Sequence, residues 1–521
     1  MTKNEIPYKP LWPSWKEATT FPSLSKNLRV DVAVIGAGIT GLTAAYHLAK
    51  AGMKVAVLEQ SQIGAGTTGH STGNLYAPVD ESTHSMDDKH NFHIRQLVTL
   101  SRIKAIDAIE QNIKLFGMDC GFKRVPFYLF STQEDKNHQK KIERETRALD
   151  HAGLKIQNEA PNFPYQYTSM LALENQAQFN PLQYLQQFAS IITDNNCSIY
   201  ENTQVLDVEK GQSSVLKTSK EMIKAEKVIM ATHTPKGVYG AHAKMETFRE
   251  FALAGKVKQK SPDPGIYWHL QDNRKFSVRS YHGENKAYVI VLGDPYLTGN
   301  TSSNSDRINN LQVYLKNHFD IDQFECLWAG QNYKPADHLP YIGTSLTESN
   351  IYIATGFSAD GLVYGTVAGT LIADMIMGNP NPYIDIYNPS RLTFFASAKR
   401  TAKENVRVLS NLAKTAFAPV DEKAFHDIKP GDGKITHIDS RTVAAYREPS
   451  GNMVAVSAIC PHLGCQVRWN GEERSWDCPC HGSRFSASGE VLEGPAYQGL
   501  QPIKLTTKKK NKPSPDRKPD R

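Results

Sequence analysis

Residues 31–59 read DVAVIGAGITGLTAAYHLAKAGMKVAVLE. A short apolar strand, Val32 to Ile35, runs directly into Gly36-Ala-Gly38-Ile-Thr-Gly41. A helical pattern follows, with Ile39, Leu42, Ala45, Tyr46 and Leu48 near one face, and Gly52 ends it. A second strand, Lys54 to Leu58, finishes in Glu59. The glycines have separate jobs: Gly36 makes the tight turn, Gly38 lets backbone approach a pyrophosphate, and Gly41 lets the helix pack on the strand. Free N–H groups at the helix start suit phosphates. Glu59 can accept hydrogen bonds from ribose hydroxyls. Alone, GxGxxG is a weak signal; within strand–turn–helix–strand–Glu it predicts a dinucleotide site. A second match, Gly64-Ala-Gly66-Thr-Thr-Gly69, has no strand entering it and no amphipathic helix leaving it. It reads as a Gly-rich loop, so the chain has one dinucleotide fingerprint and no separate NAD domain.

A chain of 521 residues predicts two to four domains. Apolar content of 40% and charged content of 22% describe a soluble globular protein. No run of about 18 apolar residues predicts a transmembrane helix, and the N-terminus lacks the pattern of a secretory signal. Cytoplasmic is the expected location. The net charge of +7 does not point to nucleic acid, because residues 508–521 hold seven Lys and Arg against two Asp, or +5 of it. That basic, Pro-rich tail is expected to be disordered.

Of seven cysteines, Cys120, Cys197 and Cys326 are scattered and read as small buried hydrophobes. Cys460, Cys465, Cys478 and Cys480 fall close together, which in a cytosolic chain suggests metal before structural disulfide. The spacing is C-x-H at Cys460 and His462, fifteen residues, then C-x-x-H at Cys478 and His481. Two thiolates and two imidazoles suit tetrahedral zinc. They equally suit a two-iron cluster with Cys₂ on one iron and His₂ on the other. Spacing alone does not choose between them.

Two resemblances extend these readings. The order VDVAVIGAGITGLTAAYHLA, VAVLE, GAGTTGHSTGNL resembles the D-amino-acid oxidase superfamily of FAD enzymes, in its glycine oxidase and sarcosine dehydrogenase branch. KVIMATHTP (227–235) is similar to the strand that returns to the FAD domain. LWAGQNYKPADHLPYIG (327–343) is similar to the family's W-x-G…D-x-x-P-x-I-G segment, departing at His338 where the family usually has Gly. IYIATGFSADGLVYGTVAGTLIADMIMG (351–378) is similar to the closing strand–loop–helix, which implies that Gly361 to Thr366 face the flavin. The positive helix end would favour the charge of reduced flavin. TTGHSTG (67–73) resembles the TTWHTAG of sarcosine and dimethylglycine dehydrogenases, which makes His70 a candidate for covalent FAD attachment or for plain contact. Arg279 lies near the family's substrate-facing Arg, as a fork for an amino-acid carboxylate or else a solvated strand charge. At the other end, CPHLGC and CPCHGSRF resemble the Rieske family. That resemblance implies Cys460, His462, Cys478 and His481 as ligands of a [2Fe-2S] cluster, a Cys465–Cys480 disulfide, and Ser483 hydrogen-bonding to cluster sulfur. Phe485 stands where high-potential members have Tyr, which implies a potential below the respiratory type.

The expected fold is a Rossmann-type α/β FAD-binding domain with an inserted antiparallel-sheet substrate domain, followed by an all-β Rieske domain. Residues 1–30 form an N-terminal segment. The oxidoreductase domain spans 31–385, with insertions at about 86–175 and 241–325 carrying strands at 125–131, 265–271, 276–281 and 287–293. A helical linker is expected at 386–419 and the Rieske domain at 420–507. The expected function is oxidation of an amine or amino acid at FAD, with electrons relayed through the cluster to an external one-electron acceptor. The alternatives are an electron carrier or redox sensor without an amine substrate, and an O₂-using oxidase. A Rieske oxygenase needs a mononuclear iron on two His and a carboxylate, and no such constellation accompanies the cluster motif.

Overall fold

The computed structural model describes residues 6–391 and 427–504, apart from short loop stretches at 81, 87–88, 161–162, 194–195, 238–239, 259–261, 284–285 and 439–440. Residues 392–419 of the helical linker expected at 386–419, and the tail at 508–521, lie outside the described residues.

The dinucleotide fingerprint forms the centre of an 8-stranded sheet. Strand Leu28–Ile35 pairs in parallel with Val55–Leu58 on one side and with Met222–Met230 on the other. Strand Ile351–Thr355 adds in parallel to Met222–Met230. Val32, Val34, Val55 and Val57 are fully or almost fully buried, as strands covered on both faces require. Helix Ile39–Lys50 packs on helix Gly361–Met377. The crossing is close because Gly365 and Gly369 carry no side chain: a Cβ at Gly369 would lie 2.7 Å from the Thr40 carbonyl oxygen. The two ends of the oxidoreductase sequence therefore meet at one helix pair.

The insertions form a 9-stranded sheet, with eight strands in the order Ile321–Pro335, Met245–Val257, Ala287–Leu297, Arg274–His282, Ile266–Gln271, Lys123–Ser131, Ser169–Gln178, Asn74–Leu75, and Ile156–Gln157 paired with Ser169–Gln178 off this path. All four strands expected from apolar runs are in it. Pairing is antiparallel except between Ile266–Gln271 and Lys123–Ser131. Strands Ser169–Gln178 and Ile321–Pro335 run past the expected insertion limits, and Asn74–Leu75 lies outside them.

Residues 433–493 form a 3-stranded and a 4-stranded antiparallel sheet with a core of Trp476, Phe485, Val467 and Ala458. This small β unit docks against the outer face of the 9-stranded sheet, where Gly482 sits on Thr247 so closely that a Cβ there would meet the threonine methyl at 2.4 Å.

Candidate functional site

At the nucleotide end, Gly36 holds φ +103°, a left-handed conformation that favours glycine, and a Cβ there would lie 2.6 Å from the Ala231 carbonyl oxygen. A Cβ at Gly41 would lie 2.0 Å from Gly36 O, so the helix reaches the strand only because this residue is glycine. Glu59 accepts hydrogen bonds from the amides of Ala37 (3.1 Å) and Ser61 (3.0 Å) at the mouth of the turn. The second Gly-rich loop is a single 3₁₀ turn, Thr67–His70, folded over the start of the helix, where Thr68 Oγ1 accepts from Ile39 N at 3.3 Å. It builds the same site rather than a second one.

A cavity of about 500 Å³ runs from Gly36, Gly38 and Glu59, past Thr67 and His70, to Gly361 and Leu362 at the start of the closing helix. Its opposite wall is the 9-stranded sheet, through Glu250, Leu292, Gly330 and Asn332. The left-handed turn, the close-packed glycines and the Glu59 carboxylate fit an elongated dinucleotide such as FAD.

His70 lines this cavity, with Nδ1 2.9 Å from the Gly66 carbonyl oxygen. Thr366 does not: its hydroxyl donates to Leu362 O (2.9 Å) and is buried more than a turn behind the helix start that Gly361 presents. Arg279 does not reach the cavity either, which corrects its expected role. Its guanidinium donates to Thr72 O (2.7 Å) and packs 5.3 Å from the Trp12 ring, so the N-terminal segment covers that end of the sheet. Burial away from any carboxylate pulls its pKa down to about 9. His338 takes φ +65°, the left-handed conformation for which glycine is the easy choice. Two cavity-lining groups, Lys236 and Glu250, carry no motif and escape sequence reading, and His233, whose Nδ1 lies 3.1 Å from Thr67 Oγ1, stands in the KVIMATHTP segment without a role read for it.

At the other end, Cys460 and Cys478 are buried free thiols. They share a hydrogen bond that draws Cys460 below the usual thiol range while Cys478, the partner, is driven up by it and by burial. The rings of His462 and His481 lie 5.0 Å apart. Cys465 and Cys480 are joined by a disulfide between the two loops. Two thiols and two imidazoles converging from two loop tips fit a cluster held by Cys₂ and His₂. Ser483 hydrogen-bonds to Cys460 and accepts from Ala496 N (3.1 Å). Phe485 is fully buried opposite Trp476 and brings no hydroxyl. Phe485→Tyr is therefore expected to raise the cluster's midpoint potential by about 40 mV, the one-electron equivalent of a hydrogen bond of about 1 kcal/mol. Direct electrochemistry checks it; an unchanged or lower potential contradicts it.

The two ends face each other. His462 Nε2 lies 3.2 Å from the Gly237 carbonyl oxygen, on the segment that carries His233 and Lys236. His242 packs 5.1 Å from the His462 ring and 6.1 Å from that of His481. Val491, Leu492 and Glu493 of the β unit close one end of the cavity. Between the units lies a buried charge network. Arg249 donates to Glu473 (2.7 and 2.5 Å) and Glu493 (3.1 Å), and Arg484 donates to Glu473 (2.6 Å), Glu493 (2.8 Å) and Asp477 (2.9 Å).

Known proteins match this arrangement. The family described as FAD dependent oxidoreductase matches residues 31–375, and the Rieske [2Fe-2S] domain matches 419–504. A putative Rieske 2Fe-2S iron-sulfur protein, YhfW of Bacillus subtilis (strain 168), is 34% identical over 502 residues, 94% of this chain and 97% of that protein. The gamma-glutamylputrescine oxidoreductase of Escherichia coli (strain K12) is 24% identical over 383 residues, 69% of this chain and 86% of its own. In fold, glycine oxidase from Geobacillus kaustophilus superposes with a TM-score of 0.57 at 17% identity, covering 70% of this chain and 99% of that one. No helix among the described residues is long and apolar enough to cross a membrane. The chain belongs to the FAD dependent oxidoreductase family and carries a C-terminal Rieske [2Fe-2S] domain.

Proposed function

We propose that this protein oxidises an amine or amino acid at the carbon next to nitrogen and sends the electrons through its Rieske cluster to an external one-electron acceptor. FAD supplies hydride acceptance and the cluster supplies single-electron exchange; the protein orients both. One observation carries the reading. The segment from Ala231 to Gly237 lines the flavin cavity through Thr232, His233 and Lys236 and ends at the carbonyl that His462 touches. The histidine edge of the cluster site is thus turned toward the flavin domain.

Burial shapes the polar groups along this path. It lowers His233 to about 4, so that imidazole is neutral at pH 7, although Glu493 opposes the shift. It lowers Lys236 to about 8 against the pull of Glu59. At pH 7 Lys236 therefore keeps most of its charge and adds to the positive field of the helix start at Gly361.

The test is anaerobic mixing of the holoenzyme with a panel of amines and amino acids, following flavin bleaching by absorbance and cluster reduction by EPR. The expected result is flavin bleaching followed by the signal of a reduced Rieske centre. Bleaching with a cluster that stays oxidised under excess substrate would defeat the relay.

A further inference from the structure

The substrate wall of the cavity carries a carboxylate with nothing on it. Glu250 stands on strand Met245–Val257 and lines the cavity. Its cross-strand neighbour is Gly330, where an added Cβ would meet nothing within 4 Å. A ligand-sized space therefore opens beside the carboxylate. Among the described residues, no side chain or amide donates a hydrogen bond to it.

The cations nearby are already paired. Lys275 and Lys334 both hold Asp80, at 2.8 and 3.3 Å. Arg102 holds Asp360 at 3.0 Å. Arg249 and Arg484 serve the network with Glu473 and Glu493. Arg279 gives its donors to the carbonyls of Thr72 and Phe179 and does not itself line the cavity. A carboxylate on the substrate would meet no unpaired guanidinium there, whereas an ammonium would meet Glu250.

We infer that Glu250 receives the substrate's ammonium group, and that the substrate is a cationic alkylamine without a carboxylate on the carbon that is oxidised. This rests on the amine-oxidation reading above. Binding pairs the ammonium with the carboxylate in a site of low dielectric. One N–H proton then passes from nitrogen to the Glu250 carboxylate, leaving a neutral amine. The neighbouring C–H bond breaks with its electron pair going to the flavin as hydride, and the nitrogen lone pair forms the C=N bond of an iminium product. One proton rests on Glu250 and one hydride on the cofactor, so the step balances without another reactant. The basicity of the carboxylate suits this transfer. Burial, with Asp80 and Asp294 adding and Lys334 and Lys275 opposing, raises its pKa to about 7.

Two isosteric probes that cannot be oxidised test the sign of the site: tert-butylamine as its ammonium, and pivalate. Each is titrated into oxidised holoenzyme, with binding read by calorimetry and by the flavin spectrum. The ammonium is expected to bind and pivalate not to, and Glu250→Gln to weaken the ammonium by about tenfold or more. Tighter binding of pivalate to the unaltered enzyme would overturn the inference whatever the variant does. So would a Glu250→Gln protein with full FAD content that binds the ammonium within about twofold of the parent. In the anaerobic panel, reduction by amino acids alone sinks this inference and leaves the amine or amino-acid reading standing. Reduction by no amine or amino acid, with dithionite effective, sinks both.

Discussion

Cys478→Ser is expected to lose the [2Fe-2S] absorbance and EPR signal completely while keeping FAD. Cys478 is one of two buried thiols that converge with His462 and His481, and a serine hydroxyl does not supply the thiolate that iron needs. The loop itself should persist. Cys478 N donates to Ser483 O at 2.8 Å, Gly482 N returns a bond to Cys478 O at 3.2 Å, and the Cys465–Cys480 disulfide ties the loops independently of the metal. The flavin site is built from Gly36 to Glu59, the turn at Thr67–His70 and the start of the closing helix, on a separate core. Substrate should therefore still bleach the flavin, while reduction of a one-electron acceptor falls to background. Under air, peroxide from the variant should equal or exceed that of the parent. Acceptor reduction at the parent's rate in the cluster-free protein would show that electrons leave from the flavin directly.

The second large effect is on the join between the units. Arg249→Met is expected to destabilise the protein by about 3–5 kcal/mol, the usual cost of removing one partner from a buried ion pair. Glu473 and Arg249 are almost wholly buried, at 3% and 1% side-chain exposure. Without Arg249, Glu473 and Glu493 share Arg484 with Asp477, three carboxylates on one guanidinium. Denaturant unfolding should show the loss, and stopped-flow mixing should show slower cluster reduction after flavin reduction. Adding Glu473→Gln should restore part of the stability, since the double variant no longer buries that charge.

The same network sets a pH signature. Burial would raise Glu473, yet Arg249 and Arg484 hold its pKa at about 2, against an ordinary 4.5. A carboxylate lowered on folding stabilises the folded state above its unfolded pKa. That contribution is present above about pH 4.5 and is lost as pH falls toward about 2. The parent should lose stability across this window, and Arg249→Met should lose less of it.

Much of the chemistry was legible in the sequence because it depends on short-range geometry. Gly36, Gly38 and Gly41 sit within six residues, and a strand–turn–helix needs its glycines at those positions whatever surrounds it. The C-x-H and C-x-x-H pairs likewise follow from what one loop tip can present to a metal. Arg279 shows the limit. Its strand was readable, and its residue type suits a carboxylate, but Trp12 from the N-terminal segment covers it and Thr72 O takes its proton donor. Thr366 was misplaced for a smaller reason, because the helix turns its side chain back onto Leu362.

By itself the sequence determined a dinucleotide fold at the front and a Cys₂His₂ metal pair at the back, since each is a local constellation with little conformational freedom. Only the tertiary structure decided which groups share a cavity. Arg249 and Glu473 lie 224 residues apart, and nothing near either one marks the pair. Glu250 became notable only when the sheet set Gly330 beside it and Asp80 held both lysines. Long-range pairing of this kind depends on how sheets stack and which faces they bury, and a linear reading carries no signal for it.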